Sequence, residues 1–142
     1  MKVREIMTPR PGAVGAEEPV TAAARLLSRY NLGALPVCDA AGRLRGMVTD
    51  RDVVVRCLAL DNDPASTRIS EIMSRGVAAV TPDTEVSQAV RTMSRSQVRR
   101  LPVTEAGRLV GMVTLCDLAR REDCRMECAR AMGAVTANLT RR

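Results

Sequence analysis

The sequence predicts an α/β (α+β) fold made of two similar units, each ordered strand–helix–strand–strand–helix. The main observation is a repeat, because Gly-Met-Val-Thr-x-x-Asp stands at both 46–52 and 111–117. Leu-Pro-Val recurs upstream at 35–37 and 101–103, in the same order. Such matched landmarks identify a repeat architecture. A unit of about 60 residues buries little of its own surface, so we expect the two units to pack sheet to sheet about a pseudo-twofold axis.

The repeat divides the chain into four segments. The first repeat covers 1–60, a linker covers 61–68, the second repeat covers 69–120, and a helical tail covers 121–142. Polar residues around a proline, between two periodic segments, are typical of a linker.

The first repeat opens with a lead-in helix over 1–8 and a brief strand over 13–16. A helix follows Pro19, and Gly33 is placed to cap its end. Its apolar positions at helical spacing predict a buried stripe of Val20, Ala23, Ala24, Leu27 and Tyr30.

The rest of the first repeat reads as a hairpin and a second helix. Two apolar segments, 34–38 and 44–49, flank a glycine turn and predict paired strands. The helix that begins at Asp50 is apolar almost continuously over 53–58, which predicts burial on several sides.

The second repeat predicts the same elements. A lead-in covers 69–74, a strand covers 77–80, strands cover 100–103 and 109–114, and a last helix begins at Leu115. The helix that starts at Asp83 should turn one apolar face inward, formed by Val86, Ala89, Val90 and Met93.

Charge and hydropathy limit the class of protein. The net charge of +6 is uneven, with nine basic and eight acidic residues in 1–66 but thirteen and eight in 67–142. Arginine suits phosphate recognition, although a solvated basic face explains the excess more simply. No apolar run reaches the roughly 18 to 20 residues of a membrane span. Arg4 and Glu5 interrupt any signal peptide, so we expect a cytoplasmic protein without a membrane partner.

The cysteines predict free thiols rather than disulfides or metal ligands. Their number is odd, and the chain has no histidine to complete a mixed zinc site. Cys116, Cys124 and Cys128 could supply thiolates, but buried small apolar residues are the simpler interpretation, and we predict no metal site. Cys124 and Cys128 also share helical spacing with Ala131 and Val135 in the tail, which predicts an amphipathic helix packed on the module or on a partner subunit.

The repeated motifs resemble a tandem pair of CBS domains, also called a Bateman module. The resemblance rests on Ile-Met-Thr/Ser at 6–8 and 72–74, on Leu-Pro-Val, and on Gly-x-Val-Thr-x-x-Asp in both copies. The resemblance covers residues 1 to about 120. Within the family, the chain is similar to the small free-standing CBS pairs of bacteria. The resemblance implies binding of an adenosyl ligand (AMP, ADP, ATP or S-adenosylmethionine), no required cofactor, and a homodimer.

The Thr-x-x-Asp motif supports a nucleotide interpretation on chemical grounds. Backbone N–H groups at a helix start favour a phosphate, the threonine hydroxyl can add a hydrogen bond, and a carboxylate accepts from two ribose hydroxyls. The alternative is that both side chains only cap a helix. Two copies in a matched repeat favour a binding cleft.

By the resemblance, each cleft draws on both repeats. The Asp117 cleft would combine residues that meet ribose, phosphate and adenine, namely Thr8, Ala13, Leu32, Arg99, Arg100, Thr114 and Asp117. The Asp52 cleft would use the pseudo-equivalent set of Thr49, Arg51, Asp52, Ser74, Ala79 and Val98. At the positions of the two arginines, the Asp52 cleft has Gly33 and Ala34. We therefore expect this cleft to bind a ligand without phosphate, or to bind none.

The sequence is compatible with three classes of function. We favour a regulatory sensor of adenosyl ligands that acts through a separate, unidentified protein partner. A basic nucleic-acid-associated protein, or a ligand-free stress or interaction protein, is the alternative; the chain has one aromatic residue and so lacks a base-stacking platform. An enzyme is not expected, because no histidine base, nucleophile motif or phosphate-transfer loop is present.

Overall fold

A computed structural model describes residues 1–121 and 125–140, with the side chains of 127 and 137–140 left out. The chain forms two compact units that do not follow the sequence repeats. The first unit is Gly12–Val77, and the second unit combines Met1–Pro11 with Ala78–Arg142. Each unit therefore contains the lead-in segment of the other repeat.

The first unit contains strands β2 (Val14–Gly15), β3 (Ala34–Cys38) and β4 (Leu44–Thr49), with helices α1 (Val20–Arg29) and α2 (Asp50–Arg56). Its sheet has the order β2-β3-β4, parallel between β2 and β3 and antiparallel in the β3–β4 hairpin. Short 3-10 helices occupy Leu58–Leu60 and Ile69–Glu71. A bridge between Met47 and Ser74 brings the second lead-in to the free edge of β4.

The second unit contains β1 (Thr8–Pro9), β5 (Arg100–Glu105) and β6 (Arg108–Thr114), with helices α3 (Val86–Ser96), α4 (Leu115–Ala119) and α5 (Arg125–Thr140). Its sheet is antiparallel throughout, with the order β1-β6-β5. The lead-in predicted as a helix over 1–8 is a 3-10 turn, Val3–Glu5, followed by β1. The strand predicted over 77–80 reduces to one parallel bridge between Val80 and Val103.

The two sheets confirm the predicted mixed fold, and both have the same arrangement of a hairpin and two edge segments. In each, a hairpin carries a short parallel segment on one edge and the lead-in of the other repeat on the other edge. The cores show the same exchange, because Ile69, Ile72 and Met73 pack into the first unit and Val3 packs into the second. The inward face predicted for α3 is confirmed, with Val86, Ala89, Val90 and Met93 all buried.

The end of α1 differs from the prediction in two respects. Val20, Ala23 and Leu27 are buried as expected, but Tyr30 is 61% exposed because the helix already ends at Arg29. The left-handed residue after the helix is Asn31, with φ of 52°, rather than Gly33. Asparagine tolerates this conformation better than most residues, so the chain turns two residues earlier than the glycine indicated.

Helix α2 is not buried on several sides, and that prediction was wrong. Only one face meets the core, through Val53 and the following Cys57. Val54 and Val55 are 55% and 44% exposed, and Leu58 and Leu60 beyond the helix are 49% and 65% exposed. Apolar composition alone does not reveal which side of a helix is covered.

Helix α5 confirms the predicted amphipathic tail. Cys128, Ala131 and Val135 are buried, and the helix packs on α3 and α4 of its own unit; Cys124 lies outside the described residues. Cys38, Cys57 and Cys116 are free thiols. No helix within the described residues is both long and apolar enough to span a bilayer.

Candidate functional site

Each repeated Thr-x-x-Asp motif forms a reciprocal hydrogen-bonded cap at the start of a helix. In the first unit, the Asp52 amide donates to Thr49 Oγ1 at 3.0 Å, and the Thr49 amide donates to Asp52 Oδ2 at 2.9 Å. In the second unit, the corresponding distances for Asp117 and Thr114 are 3.1 and 3.0 Å. These bonds satisfy amides that a helix start leaves unpaired. Capping is thus part of the motif's role in both copies.

The glycine of each motif allows the other repeat's lead-in to approach. At Gly46, an added Cβ would collide with the backbone carbonyl oxygen of Ser74. That contact is fixed, because the amides of Met47 and Ser74 each donate to the other's carbonyl at 3.0 and 2.9 Å. Ser74 consequently lies beside the strand that ends in Thr49.

The second unit repeats this arrangement with Thr8. Thr8 pairs with Met112, two residues before Thr114, and its carbonyl oxygen lies 3.1 Å from where a Cβ on Gly111 would stand. Thr8 therefore lies beside the strand that ends in Thr114, three residues before Asp117. Of the seven residues predicted for the Asp117 cleft, these three lie in one unit together with Arg99 and Arg100.

Strand register places two arginines beside the second cap. Arg100 is the antiparallel partner of Thr114, and the Leu115 amide donates to the Arg99 carbonyl at 2.7 Å. In the first unit, Ala34 is the partner of Thr49, and the Asp50 amide donates to the Gly33 carbonyl at 3.2 Å. The same backbone geometry thus places two arginines at these positions beside one cap, and a glycine and an alanine beside the other.

The two aspartates differ in their second carboxylate oxygen. Oδ1 of Asp52 lies 3.6 Å from Nε of Arg56, one helical turn along α2. Within residues 1–121 and 125–140, Oδ1 of Asp117 has neither a hydrogen-bond donor nor an ion-pair partner. An ionised oxygen without a partner can accept ligand hydroxyls. Asp117 is also partly exposed, whereas Asp52 is buried.

The remaining predicted residues divide between the units. Ala13, Leu32 and the exposed Arg51 lie in the first unit, while Ala79 and Val98 lie in the second. Both predicted clefts combine residues of the two units, and that combination stays a prediction.

A cleft of about 1050 Å³ lies at the opposite end of the β3–β4 hairpin from Thr49 and Asp52. Both of its arginines have hydrogen-bond partners, since Arg45 bonds Asp39 at 2.9 Å and Arg75 bonds the Ser70 carbonyl at 3.3 Å. Burial, and then the neighbouring Asp39 charge, raise the pKa of the Cys38 thiol on its wall. Apart from Ala13, no predicted site residue lines this cleft.

The family model for the CBS domain matches the chain twice, at residues 3–58 and 69–123. The chain belongs to the CBS-domain family. Both matches include a lead-in segment, a Leu-Pro-Val strand and a Thr-x-x-Asp cap, so the resemblance drawn from the motifs is confirmed. CBS pairs of this kind are regulatory modules.

Known proteins similar to the chain include Hypoxic response protein 1 of Mycobacterium tuberculosis. It is 39% identical over 117 residues, which cover 82% of each chain. The solved structure of Hypoxic Response Protein I with two coordinated zinc ions has a TM-score of 0.80 and 38% identity, and covers 85% of this chain and 98% of that one. Among the described residues, no group of three or more His, Cys, Asp or Glu side chains is arranged to hold a metal ion.

Two other similar structures contain adenosyl ligands. The CBS domain pair of protein MJ0100, in complex with 5′-methylthioadenosine and S-adenosylmethionine, has a TM-score of 0.72 and 30% identity, and covers 84% of this chain and 94% of that one. CBSX2 in complex with AMP has a TM-score of 0.73 and 28% identity, with 84% and 93% covered.

Two features of the caps were not predicted from the sequence. One is the pairing of Arg56 with Asp52, which their i, i+4 spacing on α2 could have indicated. The other is the reason for the motif glycines, because Ser74 and Thr8 approach from distant segments and leave no local signal.

Proposed function

We propose that the protein is a cytoplasmic regulatory module that binds an adenosine nucleotide or a related adenosyl compound. It works as a homodimer and passes its ligand state to a separate protein partner, with no catalysis of its own. One observation carries the proposal: Arg100 stands in register with Thr114 at the cap where Asp117 keeps a carboxylate oxygen uncommitted among the described residues.

That arrangement suits a phosphorylated nucleoside. A guanidinium group can bond two phosphate oxygens at once, and the Asp117 carboxylate can accept ribose hydroxyls. Phosphate charge needs compensation when it leaves water, and the second unit provides it. It has fourteen Lys and Arg against eight Asp and Glu, a net charge of +6, whereas the first unit has eight of each and is neutral.

The Asp52 end supports a different expectation. Its carboxylate already faces Arg56, and Gly33 and Ala34 stand where the arginines would be. We expect this end to take an adenosyl compound without phosphates, or no ligand.

Titration calorimetry with AMP and adenosine tests the proposal, after a thermal-shift screen of AMP, ADP, ATP and S-adenosylmethionine. Loss of a charge-assisted bond costs about 1.5 to 3 kcal/mol, so Arg100→Ala should weaken AMP roughly 10- to 150-fold. Adenosine should bind Arg100→Ala as it binds the parent protein, because it carries no phosphate.

Arg91→Ala is the matched control, because it removes the same charge from the exposed side of α3. It should leave AMP binding nearly unchanged. Equal losses of AMP and adenosine in Arg100→Ala would refute the phosphate role, and the absence of binding by every compound in the screen would favour the ligand-free alternative.

A further inference from the structure

The cleft of about 1050 Å³ in the first unit has the lining of a ligand pocket and lies at the far end of the β3–β4 hairpin from the Thr49 cap. Pockets for small molecules are concave, mainly apolar and largely preformed, with a few placed polar groups. The apolar part of this lining includes the buried Val14 and Met73 and the smaller Ala16 and Ala40.

Hydrogen bonds hold the walls of the cleft in place. The Ser70 amide donates to the Ala16 carbonyl at 2.8 Å, which ties the second lead-in to the loop before α1. On the other side, the Asp39 carboxylate accepts from two amides of the hairpin turn, each at 2.9 Å. A cleft that is already formed loses little conformational freedom when a ligand binds.

The two arginines of the lining keep most of their donors available. A guanidinium group has five N–H donors, and within the described residues Arg45 and Arg75 each use one. Arg45 is paired with the Asp39 carboxylate, whereas the partner of Arg75 is the neutral carbonyl of Ser70. In the part of the chain that the structure describes, Arg75 has no carboxylate partner.

The acidic residues of the lining are held more firmly than Arg75. Glu17 bonds Arg68 at 3.0 Å, and Glu18 accepts from the Gly15 amide at 2.5 Å. The single bond of Arg75 is longer, at 3.3 Å. The cleft therefore offers one positive charge that no carboxylate of the described residues compensates.

The second repeat shows that the fold does not require these arginines. Pro9 and Val110 stand at the positions that correspond to Arg75 and Arg45. Both units nevertheless form the same hairpin with the same lead-in on its edge. The pair of guanidinium groups is thus specific to the first unit.

A second difference leaves the cleft open. The counterpart of Ser70 in the second repeat is Arg4, whose guanidinium donates to Asp83 at 2.7 Å. Asp83 corresponds to Glu17 of the cleft wall. A long side chain in the second unit therefore reaches across to the facing wall, where the first unit has only a serine.

We propose that this cleft binds a small organic acid, with its carboxylate against Arg75 and Arg45 and a short apolar body along Val14 and Met73. A guanidinium group binds a carboxylate through two parallel hydrogen bonds. One uncompensated guanidinium suits a single negative charge, because each charge that leaves water needs compensation. The proposal goes beyond nucleotide binding and does not depend on it.

Alkylation of Cys38 by iodoacetamide, followed by peptide mass spectrometry, tests the proposal because this thiol lines the cleft. Hexanoate is the probe, and hexanamide and hexylamine are its neutral and cationic counterparts. At ten times its dissociation constant, hexanoate leaves about one cleft in eleven free, so Cys38 should react about tenfold more slowly. The exposed Cys116 of the second unit should react at an unchanged rate.

Three variants locate the site. Arg75→Ala should weaken hexanoate about tenfold or more, since a charge-assisted bond is lost. Arg43→Ala is the matched control, because Arg43 is exposed in the same hairpin turn and is not part of the lining. Ser70→Arg should abolish hexanoate binding in ligand-detected NMR by filling the cleft, and it should stay folded because the second repeat has Arg4 at this position.

Several results would overturn the proposal. They are saturable protection of Cys38 by hexanamide or hexylamine as strong as that by hexanoate, equal slowing of Cys38 and Cys116, and no protection up to the solubility limit of hexanoate. Equal protection in Arg75→Ala and Arg43→Ala, or unchanged binding in Ser70→Arg, would overturn it as well. No nucleotide is present in these experiments, so their outcome is independent of the proposed function.

Discussion

Where the second unit places Arg99 and Arg100 beside its threonine cap, the first unit places Gly33 and Ala34 beside an otherwise matching cap. The reciprocal threonine–aspartate hydrogen bonds of the two caps agree within 0.1 Å. Conversely, the first unit exposes four apolar residues at positions where the second repeat has alanine and three charged residues. The caps that both units share stabilise the fold. The residues that differ, at the arginine positions and among the exposed apolar side chains, are where we expect the contacts of the two units to differ.

The shared features include the two motif glycines, and their surroundings predict unequal effects of substitution. Gly46→Ala forces a Cβ onto the Ser74 carbonyl, which is held by backbone bonds. At Gly111 the nearest atom is the movable Sδ of Met7, at 2.6 Å. Overpacking costs about 1 to 3 kcal/mol, so Gly46→Ala should lower the free energy of unfolding by about 3 kcal/mol and Gly111→Ala by about 1 kcal/mol. Urea denaturation measures both, and equal losses would contradict the described packing.

The prediction from sequence was accurate where the sequence signal was local or repeated. The helix faces of α3 and α5 and both hairpins follow from periodicity and turn residues close together in the chain. Capping by the Thr-x-x-Asp motifs was the alternative to the binding cleft that we favoured. The exchange of lead-in segments was not predicted, because the contact between Ser74 and Gly46 joins residues far apart and leaves no periodic signal.

Other differences have equally physical causes. The stripe predicted for α1 included Tyr30 because helical spacing alone does not say where a helix stops, and Asn31 ends it early. The continuous apolar run of α2 could not distinguish a core face from an exposed one. For the candidate site, the repeat identified both Thr-x-x-Asp motifs. That Asp52 Oδ1 faces Arg56, whereas Asp117 Oδ1 has no partner in the part of the chain that the structure describes, required coordinates.

The left-handed residues that follow α1 and α3 allow a test in which a substitution should stabilise the protein, by a smaller amount. Asn31 after α1 and Gln97 after α3 are equivalent and both left-handed, with φ of 52° and 56°. Glutamine tolerates this conformation less well than asparagine. Gln97→Gly should therefore raise the free energy of unfolding by up to about 1 kcal/mol, and Asn31→Gly should change it less. A larger gain at Asn31 in thermal or urea unfolding would refute this ranking.

The smallest expected effect concerns the exposed ion pairs that join each lead-in to a helix start. Arg4 bonds Asp83 at 2.7 Å, and Arg68 bonds Glu17 at 3.0 Å in the other unit. The Arg4 hydrogen bond, and then its charge, hold the pKa of Asp83 below its ordinary value. A lowered folded-state pKa means that the contribution of this pair is present above the ordinary aspartate pKa and is lost as the pH falls through the lowered one.

Arg4→Ala should raise the pKa of Asp83 towards its ordinary value, as followed by NMR titration of the carboxyl group. The pair is exposed, so stability should change little. Arg68→Ala is the control and should leave the Asp83 titration unaltered. An unchanged Asp83 titration in Arg4→Ala would show that the pair does not form in solution.

The difference between the two caps is tested most directly by titrating AMP into Asp117→Ala and Asp52→Ala. Each substitution removes the capping carboxylate from one of two equivalent hydrogen-bonded boxes, so the loss of capping bonds is matched. Only the Asp117 substitution should remove a hydrogen bond to the ligand, and loss of a charged acceptor costs about 1.5 to 3 kcal/mol of binding free energy. AMP affinity should therefore fall roughly 10- to 150-fold in Asp117→Ala and stay nearly constant in Asp52→Ala. Loss of tight binding in Asp52→Ala, with Asp117→Ala unaffected, would contradict the assignment of the phosphate ligand to the second unit's cap.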